Sequence, residues 1–165
     1  MTFGYTAIYW GAFDPLTSAH QAIIHAALEL SLIRNLIIVI NNHDYKKYTT
    51  SLETRKASIQ FFVSSITTPK TIQILSQDNQ NPLNHQTLKQ MTSHPLCAVA
   101  GYDAYHRWMT LSSTEDRAQY GAIAVIPRRE QIPTLFDPHA FVLHIDPIYK
   151  NVASSHGSLQ KRNLN

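Results

Sequence analysis

The stretch "YTAIYWGAFDPLTSAH", Tyr5 to His20, decides the fold. An apolar run ends at Trp10, a loop with one Gly and one Pro follows, and "SAHQAIIHAALEL" reads as a helix. An apolar run without alternation fits a strand buried on both faces, as in a parallel sheet. The helix sets Ala22, Ile23, Ala26, Ala27 and Leu30 on one apolar face. Strand, tight loop and helix thus form one unit close to the N-terminus.

The same alternation continues outward from this unit. Strands are predicted at Tyr5–Trp10, Leu36–Asn41, Thr71–Leu75, Leu96–Gly101, Ala122–Ile126 and Phe141–Ile145. Helices are predicted at Ser18–Ile33, Ser51–Ser65, Pro82–Met91 and Tyr102–Leu111. With no repeat or linker to divide it, the chain is expected to form a single α/β domain over 1–165. Its architecture is expected to be doubly wound, on a mainly parallel sheet of five to six strands. Such folds bind ligands beyond the carboxyl ends of their strands, where strand order reverses. That rule gathers Gly11–His20, Asn41–Lys47 and Gly101–Asp103 around one crevice.

Composition narrows the class. The 165 residues are 44% hydrophobic and 15% charged, the balance of a folded chain. The single Cys, Cys97, lies in "PLCAVAG" and can form neither an internal disulfide nor a thiolate zinc site, which points to a reducing compartment. No apolar stretch approaches the roughly 20 residues that span a bilayer. "MTFGYTAIYW" lacks a basic region and a cleavage site, so a soluble, cytoplasmic protein is expected. The net charge is +3, and basic residues come in pairs at Lys46–Lys47, Arg128–Arg129 and Lys161–Arg162. A nucleic-acid surface shows a denser basic footprint. Small phosphorylated ligands fit the pairs better, as does a simply solvated face.

The chemistry starts at the first turn. Helix N-termini combine unpaired N–H groups with partial positive charge, which suits phosphate. Thr17 and His20 lie three apart, so a helix entered at Thr17 points both toward one region. Gly11 permits a tight turn after the strand. A His in this place can donate to a phosphate whose charge grows as a bond breaks. It can equally be a half-buried side chain bonded to a loop carbonyl. No G-x-x-x-x-G-K-[ST] or G-x-G-x-x-G occurs, which disfavours a P-loop enzyme or a nicotinamide dehydrogenase.

"GAFDPLTSAH" resembles the G-x-F-x-P-x-[HT]-x-G-H signature of the nucleotidylyltransferase superfamily, through Gly11, Phe13, Pro15, Thr17 and His20. Ala19 stands where the family usually has Gly, and Thr17 follows the variant of the phosphopantetheine adenylyltransferases. "INNHDYKKYTTSLETR" is similar to the family's next loop, where a Lys and then an Arg serve the acceptor's phosphate. "CAVAGYDAYHRW" resembles the G-x-D…W element of the nicotinate and nicotinamide mononucleotide adenylyltransferases. The alternative to these roles is that Asp103 caps its helix and Trp108 belongs to the core.

The resemblance implies a Rossmann-like adenylyltransferase that moves AMP from ATP to nicotinate or nicotinamide mononucleotide and releases pyrophosphate. It implies His20, Thr17 and Lys46 as catalytic residues. Gly11, Ala12, Phe13, Gly101, Asp103, Ser154, Ser155 and Arg162 would bind the nucleotide, and Asn41, Lys47, Arg55, Trp108 and Arg129 the acceptor. Either lysine of the Lys46–Lys47 pair, and either arginine of Arg128–Arg129, can face the site. Magnesium is expected with ATP, without protein ligands of its own. The partners are ATP and a small phosphorylated acceptor, not nucleic acid or membrane, with homo-oligomerisation left open. "NVASSHGSLQKRN" departs from the family's I-S-S-T-x-x-R: Gly157 and Ser158 stand where a helix bearing Arg is usual. That departure keeps open a non-catalytic nucleotide-binding module, and Thr17 keeps open a phosphopantetheine adenylyltransferase, which "AGYDAYHRW" opposes.

Overall fold

The computed structural model describes residues 3–128 and 133–146. Six strands alternate with helices: β1 (Tyr5–Gly11), α1 (Ser18–Glu29), β2 (Ile33–Asn41), α2 (Leu52–Ser64), β3 (Thr71–Gln77) and α3 (His85–Gln90) come first. β4 (Leu96–Gly101), α4 (Tyr102–Leu111), α5 (Thr114–Ala118), β5 (Ala122–Ile126) and β6 (Ala140–Val142) follow. The strands form one sheet in the order β3-β2-β1-β4-β5-β6, every adjacent pair parallel. This is the doubly wound, Rossmann-like α/β arrangement expected from the sequence. The order reverses between β1 and β4, whose neighbours in chain order lie on opposite sides.

Period-two alternation divides the core between the sheet's two faces. Ala7, Tyr9, Leu36, Ile38, Ile40, Cys97 and Val99 face α1 and α2, packing with Ile24, Leu28 and Ile59. Ile8, Ile37 and Val39 pack with Leu88 of α3, while Ala98, Ile123 and Val125 surround Tyr105 of α4. Cys97 is fully buried, and desolvation pushes its thiol up to about 12, so it is an inert core side chain.

The first helix ends earlier than its apolar periodicity predicts. Leu30 takes an extended conformation (φ −69°, ψ 123°), and Ile33 opens β2 opposite Tyr5. Strand pairing overrides helical spacing here, because the Tyr5 N–H bonds the Leu32 carbonyl at 2.8 Å. Lys70 closes the frayed end by donating from Nζ to the carbonyls of Leu28 and Leu30, the latter at 2.8 Å. α3 is likewise shorter than predicted, starting after Asn84, whose side chain caps Thr87 N at 2.9 Å. β6 is a three-residue edge strand, shorter than the predicted Phe141–Ile145. Among the described residues no helix is long and apolar enough to cross a membrane.

Candidate active site

The loop after β1 is shaped by one close approach. A Cβ on Gly11 would come 3.0 Å from the Phe13 ring, so glycine lets that ring fold back under the strand end. Phe13 holds φ at 50°, a left-handed conformation rare outside glycine, and is 1% exposed. Such backbone strain, about 1–3 kcal/mol, is typical of functional loops. The Phe13 ring meets Tyr9 edge-on at 5.4 Å and His20 at 5.0 Å, forming a wall behind the imidazole.

Thr17 is the N-cap of α1 and, with His20, closes a reciprocal capping box. His20 donates its backbone N–H to Thr17 Oγ1 at 3.3 Å. In return both the backbone N and Oγ1 of Thr17 lie 3.0 Å from His20 Nδ1. A backbone N–H can only donate, so Nδ1 is an acceptor and the neutral ring carries its proton on Nε2. The first turn of α1 contains no acidic residue, so its positive end keeps its attraction for anions. Helix end and imidazole together present N–H donors at the carboxyl end of a central strand.

The loop between β2 and α2 carries Lys46 and Lys47, both exposed. Two residues fix its ends. The Asp14 carboxylate accepts the N–H of Thr49 (2.5 Å), the N–H of Thr50 (2.9 Å) and the Thr50 hydroxyl (2.7 Å). Burial alone would raise the Asp14 pKa, but these bonds and the Arg55 charge outweigh it and hold the carboxyl below its ordinary value. Arg55 is 1% exposed and donates from Nη1 to the carbonyls of Ala12 and Asn41, each at 3.0 Å. Its Nη2 bonds the Asn42 side chain at 2.5 Å, and its guanidinium carbon lies 4.1 Å from the centre of the Tyr48 ring. Arg55, expected to meet the acceptor's phosphate, is held here between the loop after β1 and the end of β2. Asn41 accepts at Oδ1 from Gln77 Nε2 at 2.7 Å, tying the ends of β2 and β3.

On the β4 side, Gly101 caps α4 without a side chain, and a Cβ built there meets no atom within 4 Å. Asp103 is exposed in the first turn of α4 and pairs with Arg128 at 2.5 Å, so it is not the helix cap. Trp108 forms part of a cavity of about 410 Å³ on the α3–α4 face, with Trp10 of β1 and Ala98 and Ala100 of β4. Tyr120 stands edge-on to Trp108 at 5.3 Å and to Trp10 at 5.9 Å, so three aromatic rings wall the space. Desolvation pushes the Tyr120 phenol up to about 12. The structure therefore brings Gly11, Ala12, Phe13, Thr17, His20, Asn41, Gly101 and Asp103 to the carboxyl end of the sheet, while Trp108, in the second half of α4, faces Tyr120, which precedes β5. Ser154, Ser155, Arg162 and Arg129 lie outside the described residues.

Trp10, Tyr120 and Asp14 were missed in the sequence. A Trp closing a central strand just before a glycine was a readable signal, because strand ends border the crevice. Asp14 and Tyr120 act through contacts distant in sequence and left no local trace.

Comparison with known proteins shows the family and the fold. The cytidylyltransferase-like family model matches residues 8–114. A phosphopantetheine adenylyltransferase of Fusobacterium nucleatum is 43% identical over 49 residues, 30% of this chain and 29% of that relative. The match thus spans less than a third of its length. Two structures of a Plasmodium falciparum nicotinic acid mononucleotide adenylyltransferase share the fold. The one complexed with NaAD has a TM-score of 0.69 at 19% identity, over 92% of this chain and 81% of that one. The one complexed with APC has a TM-score of 0.71 at 17% identity over the same shares.

Proposed function

The chain belongs to the cytidylyltransferase-like family of nucleotidyltransferases, and from that premise we propose that it transfers AMP from ATP to a pyridine mononucleotide, nicotinate or nicotinamide mononucleotide. The acceptor's 5′-phosphate oxygen attacks the α-phosphorus in line, the bond to the bridging oxygen breaks, and pyrophosphate leaves with the electron pair. No covalent enzyme intermediate and no general base are required, so catalysis rests on positioning and charge stabilisation.

The observation that carries this reading is the Thr17–His20 box at the head of α1. It sets the His20 proton on Nε2, the state needed to donate to phosphate oxygens as negative charge moves onto the leaving group. The α1 N–H groups add donors, and the exposed Lys46 and Lys47 supply mobile positive charge. Asp103 would serve the nucleotide's ribose or the acceptor by exchanging its surface bond to Arg128. The cavity walled by Trp10, Trp108 and Tyr120 has a size and lining suited to a planar heteroaromatic ring. Ser154, Ser155 and Arg162 for the nucleotide, and Arg129 for the acceptor, remain part of the proposal. So does a cytoplasmic location. Magnesium is read as part of the ATP substrate, bridging its phosphates.

A second acceptor, phosphopantetheine, is favoured by the 49-residue match to an enzyme of that name and by Thr17. One assay separates the readings. Pyrophosphate release from ATP and magnesium is followed with each mononucleotide and with phosphopantetheine, using wild-type and His20→Ala protein. Release with a mononucleotide, lost in the variant, is the expected result. Turnover of phosphopantetheine alone would move the acceptor. Nucleotide binding with no release at any enzyme concentration would identify a non-catalytic module.

A further inference from the structure

We infer that the aromatic cavity selects a ring bearing an uncharged carboxamide over one bearing a carboxylate, which makes the preferred acceptor nicotinamide rather than nicotinate mononucleotide. The inference rests on the pyridine-mononucleotide reading and settles a choice which that reading leaves open.

Among the described residues the cavity's lining contains no Lys and no Arg. The polar groups on it are the amides Gln77, Asn84 and Gln119, the imidazole of His85 and the carboxylate of Asp116. Arg117, next to Asp116, is committed elsewhere. Its Nε bonds both oxygens of the buried Asp137 at 3.0 Å, and its Nη1 bonds the carbonyls of Met109 and Ser112.

A carboxylate brought into this space loses water and gains no cation from the described lining in return. It also meets like charge, because Asp116 is the one formally charged carboxylate or guanidinium on the described lining. A carboxamide meets neither penalty. Its NH2 is a donor pair, and the Asp116 carboxylate has accepting capacity beyond the single Ser113 N–H it takes at 3.3 Å. Its carbonyl is an acceptor, and Asn84 retains an NH2 while its Oδ1 receives Thr87 N at 2.9 Å and Thr87 Oγ1 at 3.0 Å.

His85 fits the same pattern. Its Nε2 lies 2.7 Å from the Gln119 carbonyl, which can only accept, so the proton is on Nε2. In the neutral ring Nδ1 is then an acceptor, the partner of an N–H rather than of a carboxylate. Nicotinamide offers that N–H; nicotinate does not.

The test compares the two mononucleotides in parallel by turnover and by calorimetric binding at pH 8. The expected result is a kcat/KM and an affinity at least tenfold in favour of the amide. Asp116→Asn keeps an acceptor for the Ser113 N–H while removing the charge, and should shrink that ratio several-fold with an unchanged melting temperature. Gln119→Arg, at an exposed rim position, should swing the ratio toward the acid. Tighter binding or faster turnover of the acid by wild-type protein overturns the preference and leaves adenylyl transfer standing. Amide-selective binding without pyrophosphate release supports the preference and removes the transfer. Binding of neither mononucleotide overturns both.

Discussion

The backbone N–H of Thr17 donates to Nδ1 of His20 across 3.0 Å, so the residue that caps the helix also fixes the tautomer of the imidazole beside it. Cap and imidazole are separable by mutation. His20→Ala removes the Nε2 donor and should lower kcat by about 10²–10³, the range for loss of one preorganised donor. Thr17→Ala keeps the backbone N–H and loses the hydroxyl, with its cap and its contact to Nδ1, at a cost of about 1 kcal/mol of stability. Its kcat should stay within several-fold of wild type while its melting temperature falls. Equal collapse of kcat in both variants would mean that the hydroxyl, not the tautomer, matters.

Arg55 distinguishes a structural tie from a substrate contact. Three hydrogen bonds and the Tyr48 face engage its guanidinium at 1% exposure. Arg55→Ala leaves two carbonyls and an amide oxygen without their charged donor, and should cost about 3 kcal/mol or more. Arg55→Lys cannot reproduce the fork and should recover only part of it. Denaturant unfolding measures both. A variant of normal stability whose KM for the acceptor alone rises would return Arg55 to phosphate binding.

These two residues also mark how far the sequence could be read. The unit from Tyr5 to His20 was legible because strand, loop and helix each leave a local signal, and Thr17 and His20 sit at fixed spacing within it. Arg55 belongs to the same loop cluster, yet its burial depends on Ala12, Asn41 and Tyr48 arriving from three segments. The short helix α5, outside the predicted helices, carries a local signal of its own: Ser113 and Asp116 form a capping box. Of the cavity, Trp108 and Trp10 carried local signals, but their meeting with Tyr120 did not, since the three rings converge only once β1, α4 and the turn before β5 are assembled.

Acid should loosen the molecule in a defined window. Burial would raise the Asp137 pKa. The Tyr105 hydroxyl at 2.6 Å, the Arg117 bonds and the Arg117 and His139 charges outweigh burial and hold it below the ordinary carboxylate value. Asp14 is shifted the same way. A folded pKa below the unfolded one gives stability that is complete above the unfolded value and is lost as pH falls through the folded value. Melting temperature should therefore be flat for these groups from pH 8 to 5 and fall below about pH 4. Asp14→Asn should start lower and show a shallower acid limb. An acid limb as steep as that of wild type would remove Asp14 from this account.

Gly101 presents a turn that nothing in the described chain requires to be glycine. Its φ of −64° suits any residue, and an added Cβ meets no neighbour. Gly101→Ala should leave stability within about 0.5 kcal/mol, as surface changes do. If the nucleotide crosses the backbone at this turn, the same methyl should raise the KM for ATP several-fold with the acceptor's KM unmoved. Unchanged kinetics would take Gly101 out of nucleotide contact.

Trp108 carries the acceptor side of the proposal. Half-buried on the cavity wall, edge-on to Tyr120 at 5.3 Å, it offers a face to a planar ring. Stacking of a base on an aromatic side chain contributes about 1–3 kcal/mol, or roughly five- to a hundred-fold in affinity. Trp108→Ala should raise the acceptor's KM within that range and leave the KM for ATP near its wild-type value. Because Trp108 also packs against the Tyr105 cluster, the Ala variant alone confounds stacking with stability. Trp108→Phe keeps an aromatic face and most of the packing, and should restore most of the acceptor's affinity. Thermal melts taken alongside separate the two effects. A Phe variant with wild-type stability but the acceptor KM of the Ala variant would show that the indole N–H, rather than the ring face, holds the substrate. Equal rises in both Michaelis constants would instead place Trp108 in the scaffold that sets the whole crevice.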